Sequence, residues 1–413
     1  MSASELNIPR SIRDLAEVVH ASGGRAWIVG GGVRDHLMGR SVKDWDVEVH
    51  GIPADRLEPL LRRHGSVNAV GRSFGVFKLR PRGSPATDPE IDVSIPRRDS
   101  NSGPGHRGIA VEGDPFMPLD EAVRRRDLTI NAIMVDVRTL EIVDPAGGVD
   151  DLRAGRLRAV DATTFLDDPL RALRVAQFVA RTGFSPDAAL LDLCRAAPLQ
   201  ELPAERIQGE WEKLLVRGTH LVEGLQVARD TAILARVFPE RPDPTELDRA
   251  LDRARPHRDA LDGIGRRWAL MLGIWLSACT MEAAEATLDR LWLHKVAGFP
   301  VRVQVLAVLE HLADPAGTDA ELRHLSVHAE LQLSLGVRSA LDPTFGEASL
   351  ERAGALGILS SKPVPLLQGR DLKELGIRPG PHMGPLLAEA YRLQLDGVLD
   401  TAESARDWAA QQS

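Results

Sequence analysis

Residues 28–46 read IVGGGVRDHLMGRSVKDWD, a spacing that suits phosphate and metal. Ala26–Val29 is a short apolar run ending at Gly30-Gly31-Gly32, which predicts a strand entering a tight turn. Glycines there let backbone N–H groups approach an anion with no Cβ in the way. Arg34 follows, placed to fork onto a phosphate oxygen. Val33–Met38 reads as a short helix closed by Gly39, whose start adds a positive dipole end beneath that anion. Asp44-Trp45-Asp46 opens the next strand; alternate side chains share a face, so Asp44 and Asp46 point the same way. Two carboxylates beside such a cradle suit Mg²⁺ shared with a nucleotide's phosphates, activating an attacking hydroxyl and stabilising a pyrophosphate leaving group. A lone DxD is usually a solvated turn; the ordered set of three glycines, Arg34, Gly39, Asp44 and Asp46 carries the reading.

Three further clusters join this one. In Glu90-Ile91-Asp92-Val93, Asp92 alternates with apolar residues; it is either a third catalytic carboxylate near the metals or an edge-strand acid facing solvent. Arg125-Arg126-Asp127-Leu128-Thr129-Ile130-Asn131 reads as a helix end running into a strand. There Arg126 can hold phosphate while Asp127 and Asn131 hold a ribose or orient the arginines; the plainer reading is a helix end with basic residues at the negative pole of its dipole. In Asp167-Asp168-Pro169-Leu170-Arg171-Ala172-Leu173-Arg174, Asp168 and Arg171 stand at i and i+3, with Arg174 one turn on. That pair offers an acceptor and a donor fork to the Watson–Crick edge of a base, or else forms a surface ion pair worth a few tenths of a kcal/mol.

These side chains need a scaffold. Strands are expected at 26–29, 45–50, 74–79, 90–95, 131–137 and 140–143, and helices at 11–22, 33–38, 53–63 and 119–127, giving a small α/β domain with one mixed sheet. The Gly/Pro/Ser-rich span between Pro96 and Pro118 is too long for a simple connection and reads as mobile and functional. From about Asp161 the pattern is helical, with helices near 169–182, 187–196, 204–217, 219–229, 265–278, 281–293, 300–312, 319–331 and 382–408 and breaks near 238–246 and 359–366.

Composition excludes several classes. With 413 residues the chain holds two to four domains. Aromatic content of 4% argues against base recognition on an aromatic platform. Cys194 and Cys279 make neither a disulfide framework nor a zinc site, and both read as buried thiols; the twelve histidines show no ligand spacing. No apolar run reaches membrane-spanning length and no signal-peptide pattern opens the chain, so a cytoplasmic setting is expected. The net charge of −8 weighs mildly against nucleic acid, yet Arg124, Arg125, Arg126, Arg153, Arg156, Arg158, Arg171, Arg174 and Arg181 crowd one stretch, and a local patch is what binds.

Taken in order, Gly30-Gly31-Gly32-Val33-Arg34-Asp35, the Asp44/Asp46 pair, Arg125–Ala132 and Asp167–Arg174 resemble the class II tRNA nucleotidyltransferase and bacterial poly(A) polymerase family. The resemblance covers about residues 25–215. It implies an α+β chain with a DNA polymerase β-like nucleotidyltransferase head of mixed sheet (1–150), followed by an all-α neck with a nucleotide-selecting helix (151–240), body (241–358) and tRNA-binding tail (359–413). It further implies that Gly31 and Arg34 contact the nucleotide, Asp44 and Asp46 bind Mg²⁺, and Arg126, Asp127 and Asn131 hold phosphate and ribose. Asp168 and Arg171, supported by Arg174, would pair with the base of CTP or ATP. The expected reaction is attack of a tRNA 3′-hydroxyl on the α-phosphate, by positioning and electrostatics.

Departures refine this. Asp167 stands where many relatives have Glu, and Gln177 where some carry Arg. Trp268–Gly273 lacks the His-Asp pair of relatives with an appended phosphohydrolase, so no such activity is expected. Full CCA addition is the leading expectation; CC-only or A-only addition, poly(A) synthesis, and a catalytically silent tRNA-binding relative remain as alternatives. The long span at 96–118 favours retained A addition, and the weakly charged end TAESARDWAAQQS disfavours poly(A) synthesis.

Overall fold

The computed structural model describes residues 6–42, 44–71, 76–83, 90–101, 109–200, 202–240, 245–342, 344–345 and 347–412. The chain divides into two compact units, the first being Met1–Val179, Gly183–Leu202 and Val227–Ile233. It opens with α1 (Arg10–Ala21), β1 (Arg25–Val29), α2 (Gly31–Leu37), β2 (Asp46–His50), α3 (Ala54–His64), β3 (Gly65–Gly71), β4 (Val76–Pro81) and β5 (Ile91–Ser94). Then come β6 (Arg97–Asn101), β7 (Ile109–Gly113), α4 (Leu119–Ala122), β8 (Met134–Asp136), β9 (Ile142–Val143), α5 (Gly148–Ala154), α6 (Ala162–Phe165), α7 (Leu170–Thr182) and α8 (Ala188–Ala196).

Among the described residues, seven strands make one mixed sheet in the order β3-β4-β5-β2-β1-β8-β9, in which the β2–β5 pair alone is parallel. Alternation in β1 explains how it is covered. Trp27 and Val29 pack with Val123, Ala132 and Met134. The helix α1 buries Ile12, Leu15, Ala16 and Val19, a stripe at helical spacing.

Several expected elements differ. Strand β3, which the sequence reading lacks, pairs antiparallel with β4; its glycine-flanked GSVNAVG run is too short to declare a period. The span 96–118 contains an antiparallel hairpin, β6 with β7, in register from Arg97↔Gly113 to Asn101↔Ile109. The glycines and proline that made it read as a loop lie in residues 102–108, outside the described residues. The expected helix 119–127 ends at Ala122, and the strand expected from 131 begins at Met134. Between them the chain turns, because Asp127 accepts from the backbone N–H of Leu128 and from Asn131, competing with helix and ladder alike.

The second unit is Ala180–Thr182, Pro203–Gln226 and Leu234–Ser413. Its elements are helical: α9 (Ala204–Trp211) running into a π turn (Glu212–Val216), the start of α10 (Leu221–Asp230), α11 (Ile233–Val237), α12 (Glu246–Arg253), α13 (Arg255–Ala260), α14 (Ile264–Trp275), α15 (Met281–Arg290), α16 (Val301–Glu310) and α17 (Asp319–His328). They continue as α18 (Leu331–Leu341), α19 (Ala348–Ala355), α20 (Gly369–Glu374), α21 (Met383–Leu395) and α22 (Ala402–Gln411). Trp211, Phe238 and Trp275 stack with ring centroids 4.8–5.4 Å apart. One core gathers Leu322, Leu325, Leu331, Leu335 and Ala353, another Leu367, Leu372, Ala390, Leu399 and Ala405. The helix expected over 382–408 is two, parted at Gly397, whose φ of +77° ends α21 in a left-handed residue. Among the described residues no helix is long and apolar enough to cross a membrane. Cys194 is buried and Cys279 half-buried.

Candidate active site

The site begins where β1 turns into α2. Gly30 adopts φ +74°, a left-handed conformation that disfavours any side chain. A Cβ there would also stand 3.2 Å from Asp46 Oδ2 and 3.5 Å from Arg126 Nη1. The turn therefore lies directly against one of the predicted carboxylates and one of the predicted arginines.

Register builds the rest of that face. Val29 pairs with Asp46 across β1 and β2, Asp46 with Asp92 across β2 and β5, and Asp92 with Lys78 across β5 and β4. Lys78 Nζ lies 3.2 Å from Asp92 Oδ1. Asp44 precedes β2 and is exposed, while Asp46 is half-buried. Burial, with the charges of Asp92 and Asp44, holds the Asp46 carboxyl above its usual range; Arg126 and Lys78 only partly offset this. Asp92, read from sequence as either a third carboxylate or a solvent-facing acid, stands in line with Asp46.

Two residues farther along β2, on the same face, Glu48 is 1% exposed. It accepts from Arg125 Nη2 at 2.7 Å, lies 3.5 Å from Arg126 Nη2, and meets His50 Nε2 at 3.2 Å. Burial alone would push Glu48 up; the His50 hydrogen bond and the two guanidiniums overcome it and bring the carboxyl down to about 2. Arg126 is itself lowered, chiefly by burial. Glu48 was not among the residues the sequence reading singled out. Its signal was the alternation D-x-D-x-E, which puts a third acid on the face of Asp44 and Asp46.

A second constellation links three of the motifs. Arg34, 6% exposed, donates from Nη1 to Asn131 Oδ1 at 2.6 Å and from Nε and Nη2 to Asp35 Oδ1. Asn131 Nδ2 donates to Asp127 Oδ1 at 2.9 Å, and Arg174 Nε donates to Asp127 Oδ2 at 2.6 Å. The Arg34 and Arg174 guanidinium carbons lie 5.1 and 5.5 Å from the ring centre of Phe178, closing the circuit. Burial would raise Asp127, but the Arg174 charge and the hydrogen bonds from Asn131, Arg174 and Leu128 override it and hold Asp127 below its usual range.

The start of α7 departs from the expected geometry. Asp168 lies in the turn before the helix and so does not share a helix face with Arg171; its Oδ1 accepts from the Leu170 N–H at 3.2 Å. An acid preceding Pro169 finds the free first-turn N–H groups more accessible than a side chain one turn on. Arg171 donates to the carbonyls of Thr164, at 2.7 Å, and Arg125, at 2.5 Å. Gln177 is 1% exposed and its Oε1 lacks a partner.

The oxygen-only donor set of Asp44 and Asp46 suits a hard divalent cation. Among the described residues no three His, Cys, Asp or Glu side chains form a ready metal cage. A site completed by phosphate oxygens of a nucleotide is the arrangement such a pair allows.

Residues 26–158 match the family model described as the poly A polymerase head domain. The multifunctional CCA protein of Xanthomonas campestris is 35% identical over 223 residues, 52% of this chain and 51% of the relative. That of Azoarcus is 38% identical over 245 residues, 58% and 54% of the two chains. The chain thus spans about half the length of the curated relatives it matches. Among solved structures, the Bacillus stearothermophilus CCA-adding enzyme in complex with CTP superposes with a TM-score of 0.76 at 24% identity, covering 98% of each chain. The Thermotoga maritima CCA-adding enzyme complexed with tRNA gives 0.73 at 21% identity, covering 100% and 98%. At these identities the likeness shows the fold alone: a mixed-sheet head followed by helices.

Proposed function

With a poly A polymerase head domain at residues 26–158, we propose that the protein is a template-independent tRNA nucleotidyltransferase, adding CCA to tRNA 3′ ends from CTP and ATP and releasing pyrophosphate. The observation that carries this is the alignment of the Gly30 turn, Asp46 and Asp92 across adjacent strands, with Arg126 at the same glycine. In the reaction the 3′-hydroxyl gives up its proton to solvent as its oxygen bonds to the α-phosphorus, the bond from that phosphorus to the bridging oxygen breaks, and pyrophosphate leaves with the electron pair. Asp44 and Asp46 would hold Mg²⁺, which would supply Lewis-acid activation of the hydroxyl and screening of the phosphate charge. Asp92 completes the carboxylate row.

Arg126, held by Glu48 beside Gly30, faces the triphosphate. Arg34, Asp127 and Asn131 frame the ribose. Their mutual hydrogen bonds set the geometry before the nucleotide arrives, which lowers the entropic cost of orienting it. Asp168 and Arg171 present an acceptor and a donor fork to the base, and Arg174, tied to Asp127, stands on the same helix as Arg171. The tail, 359–413, takes the tRNA, and the substrates imply a cytoplasmic place of action.

The test uses purified protein, Mg²⁺ and three tRNA transcripts, one lacking CCA, one ending in C and one ending in CC, with labelled CTP, ATP or both. Three additions to the bare transcript, then arrest, are expected. Growth only from the CC end, arrest at CC, or a long A ladder would replace full CCA addition by A-adding, CC-adding or poly(A) polymerase activity. No incorporation with intact tRNA binding would leave a silent tRNA-binding relative.

A further inference from the structure

The carboxylate row carries its own cation. Asp46, Asp92 and Lys78 stand in register on β2, β5 and β4, and the Lys78 ammonium lies 3.2 Å from Asp92 Oδ1. Both side chains remain partly open, 42% and 44% exposed, while Asp92 Oδ1 itself is buried and has the Lys78 charge beside it but no hydrogen bond. Burial and the charges of Asp92 and Asp44 disfavour the ionised form of Asp46, while Arg126 and, less strongly, Lys78 favour it. Two carboxylates on adjacent strands repel across a parallel ladder, and something positive must stand between them or beside them for the pair to stay ionised. A lysine on the third strand does this without closing the face on which Asp44 and Asp46 lie.

The amine is a poor match for a permanent metal-site residue. It has no acceptor once protonated and cannot ligate a cation. Its charge opposes that of an arriving divalent ion at the same carboxylates. We propose that Lys78 is a resident counter-cation of the row, competing with the metal ion for Asp92 and so setting the metal concentration at which the head loads. Lys78 is a positioning residue: it holds Asp92 aligned with Asp46 while no metal is bound and yields that carboxylate when one arrives. The proposal rests on the nucleotidyltransferase reading, because it takes the Asp44–Asp46 pair to be a metal site.

The test measures metal binding by the full chain without nucleotide. Protein stripped with chelator is titrated with Mn²⁺ alone, and free Mn²⁺ is read by electron paramagnetic resonance. Lys78→Met should bind Mn²⁺ about 3- to 10-fold more tightly than the natural protein, since a competing charge at an exposed site has been removed. Lys78→Arg, which keeps the charge, should stay within about 2-fold. Lys78→Gln is carried alongside, so that poor folding of one variant leaves the other to decide. Affinity of both neutral variants equal to or weaker than that of the natural protein overturns the proposal. Asp46→Asn separates this from failure of the underlying reading. If Asp46→Asn binds Mn²⁺ as the natural protein does, the carboxylates hold no metal and the proposed function falls too. If only Asp46→Asn weakens binding while the Lys78 variants do not tighten it, the counter-cation role alone falls.

Discussion

Arg174 donates from Nε to Asp127 Oδ2 at 2.6 Å, joining α7 to the turn that follows α4. Asp127 is buried, and Arg174 is its charged partner. Asp127→Asn removes the charge and leaves Arg174 with a neutral acceptor. A loss of about 1–3 kcal/mol in stability is expected, less than for a fully buried pair because Arg174 is 31% exposed. Chemical denaturation of the variant checks it; a midpoint unchanged from the natural protein would show that the pair contributes nothing net.

Asp46→Asn should abolish nucleotide transfer, by about 1,000-fold or more, while tRNA binding stays within about 3-fold. Single-turnover incorporation and filter binding on one preparation separate the two effects. Parallel loss of both would place Asp46 in the scaffold.

Glu48 makes acid stability measurable. Its folded carboxyl lies at about 2 against an ordinary 4.5, so its contribution is fully present above about 4.5 and disappears as pH falls toward about 2. The difference in unfolding free energy between the natural protein and Glu48→Gln should be about 3 kcal/mol at neutral pH and vanish near pH 2. A difference that stays constant with pH would contradict the ionised clamp on Arg125 and Arg126.

Arg171→Ala tests the selection of nucleotide. The arginine should matter for choosing CTP or ATP, so the variant should misincorporate while binding tRNA nearly as well. Its ties to the carbonyls of Thr164 and Arg125 make some loss of stability, about 1–2 kcal/mol, part of the same expectation. Weakened tRNA binding with unchanged selectivity would remove Arg171 from base recognition.

Transfer RNA affinity should fall steeply with salt, because arginine and lysine contacts to phosphate release counterions. A flat log–log plot between 50 and 200 mM salt, as in the general range for such contacts, would argue against a backbone-tracking surface.

Much of this site was legible because strands impose a period of two. Asp44, Asp46 and Asp92 were readable as carboxylates alternating with apolar neighbours, and the glycine turn declared itself through three consecutive glycines. What was hidden depends on partners distant in the chain. Glu48 reads as one more polar residue on the alternating face of Asp46 until Arg125 and Arg126 arrive to neutralise it. Arg34 reads as a free phosphate fork, yet Asp35 and Asn131 engage its guanidinium. The turn at 123–131 reads as a helix end running into a strand, since its spacing says nothing of Asp127 accepting from the Leu128 backbone and from Asn131. Lys78 drew no notice because a lysine in a strand is ordinary; only the β4–β5 register sets it opposite Asp92.

The strand order also dictates how the protein acquires its chemistry during synthesis. Asp46 leaves the ribosome well before Asp92, and no portion of chain ending ahead of β5 can contain the carboxylate row. The antiparallel β4–β5 pairing closes a shorter loop than the parallel β2–β5 pairing, so it forms at lower entropic cost. In that shorter-range pairing Lys78 already stands opposite Asp92, so the strand that brings the second carboxylate to Asp46 carries a cation on its other side.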